Sequence, residues 1–336
     1  MAINIRDKGA EIWERSPKPA RVAIASLTMI FAICLPFLGG TFLNTPISSY
    51  EAVLVYPVGL FVLMALGLNI VVGKSGLLDL GYVAFFAIGA YTMAILGTTT
   101  SLNFWEIMPI GIGLAMLSGV ILGLPTLRLR GDYLAIVTLG FGEIVRIVAL
   151  NTMAIGGPNG IANIPTPPKF LSLEYTLQNQ KAYYWTVLAL IFLVIWMIRR
   201  LSTRRPGRAW ESIRQDEDVA DLMGVRTLKY KIWAFAIGAA IGGAGGVVFA
   251  AKSMFVAPEM FTLNTSILIL ACVVFGGMGN IWGVITGAII LAYLPERIRF
   301  ISDARLLIFG LTLVVMMNLR ADGILPRKKR EKSLTS

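Results

Sequence analysis

The sequence predicts an all-α integral membrane protein of about ten transmembrane helices. Three observations carry this reading: 56% of the 336 residues are apolar, only 15% are charged, and long uncharged runs recur along the whole chain. A soluble domain of this size carries about 25% charged and about 45–50% apolar residues. Each helical residue rises about 1.5 Å, so about 20 apolar residues span the hydrocarbon.

Taken in order, runs at 22–38, 52–72, 77–97, 105–125, 133–150, 183–198 and 232–251 each fit one span. Basic residues precede the first, as in a signal peptide. It ends in Leu38-Gly39-Gly40 without a cleavage motif and further spans follow, so it reads as an uncleaved first helix. The stretch 260–294 is too long for one helix and is interrupted by Gly276, Gly277, Gly279 and Asn280, which predicts two helices meeting at a tight turn. A run at 306–319 makes the tenth. Residues 1–336 thus form a single transmembrane domain with two long connections. One, 151–182, carries Pro158, Pro165, Pro167 and Pro168 and reads as an irregular loop; the other, 199–231, is helix-competent.

Lysine and arginine counts orient the bundle. With both termini cytoplasmic, 23 of the 30 basic residues lie inside, nine of them in 199–231 and six from Arg320 onward. Six lie outside and Arg146 falls within a span. This places 151–182 outside and 199–231 in the cytoplasm. The net charge of +11 is therefore mostly a topology signal directed at anionic inner-leaflet lipid. Its scatter over alternate connections leaves no basic face for nucleic acid.

Composition also limits the chemistry. There is no histidine, which excludes a histidine general base, a Ser-His-Asp triad and any imidazole metal site. Cys34 and Cys272 lie in apolar runs and supply neither a metal ligand set nor a disulfide framework. A phosphate-loop near miss, Gly67 to Gly73-Lys74-Ser75, has five intervening residues where the motif needs four, and it lies in an apolar helix. No metal, cofactor or nucleotide site of its own is expected.

Several groups remain as candidates. Gly238, Gly242 and Gly246 recur every fourth residue, as do Gly279, Gly283 and Gly287, a spacing that lets membrane helices approach closely. Asp79 is expected two residues into the third helix near the cytoplasmic interface, hydrated or capping. Glu143 lies 11 residues beyond Asp132, about 16 Å into a core about 30 Å thick, and Arg146 follows at i+3 where it can face the carboxylate. Such a pair either fixes helix packing as a buried unit or lines a substrate path. In the cytoplasmic connection, Pro206-Gly207 reads as a turn, Trp210 and Ile213 share one helical face, Val219, Leu222 and Met223 share another, and Gly224 ends the second helix. Four acids within 216–221 would be repelled by anionic lipid, so this amphipathic element reads as a docking site for a protein partner.

Five stretches resemble one family in combination. They are 75–91 (SGLLDLGYVAFFAIGAY), 131–133 with 142–146 (GDY and GEIVR), 156–161 (GGPNGI), 207–210 with 213–217 (GRAW and IRQDE), and 274–280 (VFGGMGN). Their order and content resemble the LivM-like permease subunits of ABC importers for branched-chain amino acids. The resemblance implies an importer fold with the second to fifth and seventh to tenth helices related by inverted pseudo-symmetry. It implies a second homologous permease subunit, two cytoplasmic ATPase subunits that use the ATP, an external solute-binding protein and a prokaryotic inner-membrane location. By the same resemblance Arg208, Trp210, Ile213, Arg214, Asp216 and Glu217 belong to the element that docks on the ATPase. The alternative from another class is an ion-coupled carrier or channel for a small polar solute, with Glu143 and Arg146 as its relay. An intramembrane enzyme is not supported, for want of a nucleophile or metal cluster.

Overall fold

The computed structural model describes residues 32–38, 49–126, 131–169, 175–176 and 180–297, together with 307, 310, 311, 314, 318 and 323–325. The first expected span is thus described only at its end, where Leu35–Leu38 forms one 3-10 turn, and the tenth lies mainly outside the described residues. Residues 1–44 form a separate unit from 45–336, and the helical bundle belongs to the second unit.

Apolar runs this long become helices because a helix satisfies its backbone within the segment itself, as lipid requires. They are α1 (Tyr50–Lys74), α2 (Val83–Thr99), α3 (Phe104–Thr126), α4 (Asp132–Asn151) and α5 (Lys181–Ser202). The 199–231 connection folds into α6 (Arg205–Gln215) and α7 (Glu217–Leu222), and α8 (Thr227–Ser253), α9 (Leu263–Gly276) and α10 (Ile281–Arg297) follow. Among the described residues six helices are long and apolar enough to cross a membrane. The chain is a multi-pass, all-α membrane protein. The expected break between α9 and α10 is present, with Gly277 at φ +116° and Gly279 at +88° supplying the left-handed backbone of the turn.

Two expectations are corrected. The span at 77–97 is not one helix: residues 75–82 form no regular helix and α2 begins only at Val83. The 151–182 loop is not wholly irregular either. It contains 3-10 turns at Met153–Ile155 and Gly157–Asn159 and a strand β1 (Ile161–Ala162). That strand pairs antiparallel with β2 (Phe255–Val256), Ile161 opposite Val256 and Ala162 opposite Phe255, pinning the loop to the end of α8.

At the centre is α8, packed along α2, α3 and α1. A Cβ on Gly238 would lie 2.7 Å from Val71 Cγ2, one on Gly242 3.1 Å from Phe85 Cβ, and one on Gly246 would strike the Phe86 carbonyl. Gly243, one position off that row, meets Ala115 of α3 in the same way, at 2.5 Å. Without glycine these backbones would have to separate, losing dispersion contacts that hold helices together where lipid offers no hydrophobic drive. In the second glycine set Gly279 is not on a helix face, since it sits in the turn before α10. Gly283 and Gly287 pack instead on Gly276 of α9.

Candidate translocation and coupling site

The stretch 75–82 carries non-helical backbone into the bundle, which is tolerated only where protein satisfies its polar groups. The Leu77 N–H donates to the Val71 carbonyl at 3.1 Å, and the Leu80 N–H donates to Thr138 Oγ1 of α4 at 3.1 Å. The Gly81 N–H donates to Asp79 Oδ1 at 2.9 Å, and the Val83 N–H to Ser266 Oγ of α9 at 3.0 Å. Asp79 is therefore neither hydrated nor part of a helix; it is 1% exposed and caps the break. Gly81 packs so tightly on α4 that a Cβ would overlap the Thr138 carbonyl. Tyr82, fully buried, donates its hydroxyl to the Gly238 carbonyl of α8 at 2.9 Å. One short segment thus ties α1, α4, α8 and α9 together.

Arg146 Nε donates to both Glu143 oxygens at 3.0 Å, and its Nη2 also donates to Oε1, so the i, i+3 spacing does bring the pair together. Neither side chain is buried within this chain, however, with Glu143 41% and Arg146 25% exposed. The reason is that α4 meets the bundle through Leu134, Ala135, Thr138 and Gly142, leaving the pair on its outward side beside Ile136, Ile144 and Ile147. The outward face of α3 differs: Ile110, Leu114, Leu117, Ile121 and Leu124 are exposed there. That face suits lipid tails, whereas an ion pair near mid-membrane suits protein or water.

In the 199–231 connection Pro206 and Gly207 are not a turn but lie in the first turn of α6, where proline's missing N–H costs nothing. Trp210 and Ile213 do share one face, but that face packs inward. Trp210 is 1% exposed and its Nε1–H donates to the Tyr230 carbonyl of α8 at 2.7 Å. Arg214 donates to the Gly73 carbonyl at the end of α1. Glu217 pairs with Lys231 of α8 at 2.5 Å. These three residues, read from sequence as contacts for a partner, fasten α6 and the start of α7 to this subunit. Asp216 caps α7, its Oδ1 accepting from the N–H groups of Asp218 and Val219 at 3.0 and 3.1 Å. Gly224, at φ +81°, ends the pair of helices. What faces out is Val219, Leu222 and Met223, with Arg208 and Asp216 also exposed.

Sequence reasoning missed several positions. Asn69 is buried in α1, and its Oδ1 accepts the Gly279 N–H at 2.7 Å, locking α1 to the α9–α10 turn. Thr138 and Lys231 were likewise passed over. A polar residue inside an otherwise apolar run is the signal that flags Asn69 and Thr138. Lys231 gives none, being one of nine basic residues in its connection.

Residues 51–317 match the family described as branched-chain amino acid transport system, permease component. The chain is 43% identical over 296 residues to the high-affinity branched-chain amino acid transport system permease protein LivM of Escherichia coli K12, covering 82% of this chain and 70% of that one. It is 27% identical over 319 residues to a probable branched-chain amino acid transport permease protein LivM of Methanocaldococcus jannaschii, covering 80% and 91%. LivH of Salmonella typhimurium, a permease of the same kind of system, is 30% identical over 165 residues, 47% of this chain and 51% of that one. No solved structure matches the chain. With most of its length matched, and its motifs at 75–82, α4 and 274–280 forming one packed unit, the chain belongs to the permease-component family of branched-chain amino acid transport systems.

Proposed function

We propose that the protein is one of two permease subunits of an ATP-driven importer in the prokaryotic inner membrane, moving branched-chain amino acids handed over by an external binding protein. Its matched family and its likeness to LivM support the solute class. The observation that carries the path is the Glu143–Arg146 pair on the outward face of α4. A membrane-depth ion pair calls for a protein or aqueous neighbour, and the second permease supplies it, with Asp79 fixing the segment that seats α4. Ten helices with an inverted repeat and both termini cytoplasmic complete the proposed arrangement. The chain binds no cofactor and hydrolyses no ATP, which is used by two cytoplasmic subunits.

Docking of those ATPases is assigned to the outer surface of α6 and α7. Exposed Leu222 and Met223 provide the apolar anchor, ringed by Asp216 and Arg208. Movement received there reaches the membrane through Arg214 on Gly73 and through the 75–82 segment that touches α4. The test is leucine uptake into vesicles containing both permeases and the ATPases, with binding protein supplied outside. Uptake that requires ATP on the ATPase side supports the reading. Uptake driven by an ion gradient in vesicles lacking the ATPases would replace it with the ion-coupled alternative.

A further inference from the structure

An open cleft of 460 Å³ lies between α6 and the start of α8, and four cations line it: Arg205, Arg208, Arg226 and Lys229. Among the described residues no carboxylate lines it, although α6 and α7 carry Glu211, Asp216, Glu217, Asp218 and Asp221. Among the described residues none of the four cations forms an ion pair. Like charges gathered this closely repel one another, and an anion in the cleft would relieve that repulsion.

Neighbouring tryptophans set the depth of the cleft. Trp233, one turn beyond Lys229 on α8, is 47% exposed, and Leu228 beside it is also exposed. Trp196 is exposed three residues before Arg199 on α5, and the Arg199 guanidinium lies 5.4 Å from the ring centroid of exposed Trp282. Exposed tryptophans with basic residues just beyond them mark the headgroup region of a bilayer. Four residues of helix separate Lys229 from Trp233, about 6 Å, which puts the cations at phosphate level when the tryptophan ring is at the interface.

We propose that this cleft binds the phosphate of an anionic phospholipid of the inner leaflet, with Leu228 and Trp233 flanking its chains. A free phosphate would make no use of that apolar border. The bound headgroup anchors the N-terminal half of the α6–α7 connection to the membrane, while the acids of α7, which stand outside the cleft, remain for a protein partner. Basic pockets at this side of a membrane recognise lipid headgroups by the same electrostatics.

The test is native mass spectrometry of the full chain, exchanged against phosphatidylglycerol, phosphatidylcholine or inorganic phosphate. Compared are the wild type, an Arg226→Gln/Lys229→Gln variant and an Arg204→Gln control outside the cleft. Removing two charges near the headgroup should lower phosphatidylglycerol retention about 10- to 30-fold, leaving phosphatidylcholine unchanged and the control like wild type. If that variant does not fold, Arg205→Gln/Arg226→Gln serves in its place, since both residues are exposed. Equal phosphatidylglycerol retention in variant and wild type would overturn the proposal. So would full displacement of the lipid by inorganic phosphate, which would reassign the cleft to a free anion. Loss of co-purifying ATPase with lipid retention intact would reassign it to a protein. A Leu222→Ala/Met223→Ala variant that loses the ATPase yet keeps the lipid separates this inference from the docking reading.

Discussion

The Lys231 ammonium of α8 sits 2.5 Å from the Glu217 carboxylate that opens α7, with the lysine 1% exposed and the carboxylate partly open to water. The two ends of this contact are unequal. Removing the carboxylate takes the anionic partner from a buried cation, whereas removing the cation leaves a carboxylate that water can solvate. Glu217→Ala should cost about 2–3 kcal/mol, below the roughly 3–5 kcal/mol of a fully buried pair, and Lys231→Met distinctly less. Thermal unfolding of the purified subunit in detergent measures both. Equal losses would mean that the contact is no more than a surface ion pair.

Trp210 provides the second expected outcome. Its indole fills the interior between α6 and α8, so Trp210→Ala should destabilise this subunit by about 3–5 kcal/mol. Trp210→Phe, which keeps most of the bulk and gives up the hydrogen bond to the Tyr230 carbonyl, should cost about 1–2 kcal/mol. Both show as lower yield of folded protein before any partner is added. A fully stable Trp210→Ala subunit that fails only to bind the ATPase would restore the indole to the docking surface.

Leu222 and Met223 are the contrasting case, being 87% and 80% exposed. Leu222→Ala/Met223→Ala should leave the unfolding temperature of the isolated subunit unchanged and weaken co-purification of the ATPases at least tenfold, the scale of an interface anchor lost. Wild-type assembly would move docking to another surface of the chain.

Where the hydropathy pattern was plain, the chain was legible as sequence: 105–125 became Phe104–Thr126 and 232–251 became Thr227–Ser253, because lipid leaves a long apolar run one way to satisfy its backbone. Legibility failed where tertiary contacts overrode that pattern. The run at 77–97 hides a broken start because Leu77, Leu78 and Leu80 are as apolar as helix residues. The break depends on distant partners, Thr138 and Ser266, which take over the freed N–H groups. Trp210 and Ile213 were correctly placed on one face, but amphipathicity states that a face is covered, not by which chain. The exposure of Glu143 was hidden for the same reason, since depth along a helix says nothing of which side meets the bundle.

Gly246 and Gly113 separate close packing from mere helix propensity. A Cβ on Gly246 meets the Phe86 carbonyl, which cannot move without α2, so Gly246→Ala should cost about 1–3 kcal/mol or more as overpacking. A Cβ on Gly113 of α3 would have none of the described residues within 4 Å. Gly113→Ala should be neutral or stabilising by up to about 1 kcal/mol. Unfolding of the two variants side by side is the measurement, and equal behaviour would argue against α8 as the tight centre of the bundle.

The Glu143–Arg146 pair separates a packing role from a path role by comparing the lone subunit with the assembly. Because both side chains are partly exposed in this chain, breaking the pair should cost the isolated subunit no more than about 1 kcal/mol. In the proposed assembly the same face meets the second permease or the path, where an unpartnered charge is expensive. Arg146→Met and Glu143→Gln should therefore unfold near the wild-type temperature as purified subunits and still lose most leucine uptake in the reconstituted importer. The double variant, with no charge left unpaired, should recover assembly but not uptake if the pair lines the path. It should recover both if the pair only holds α4 against its neighbour. Large destabilisation of the single subunit by either substitution would contradict the exposed position of the pair and return it to this chain's interior.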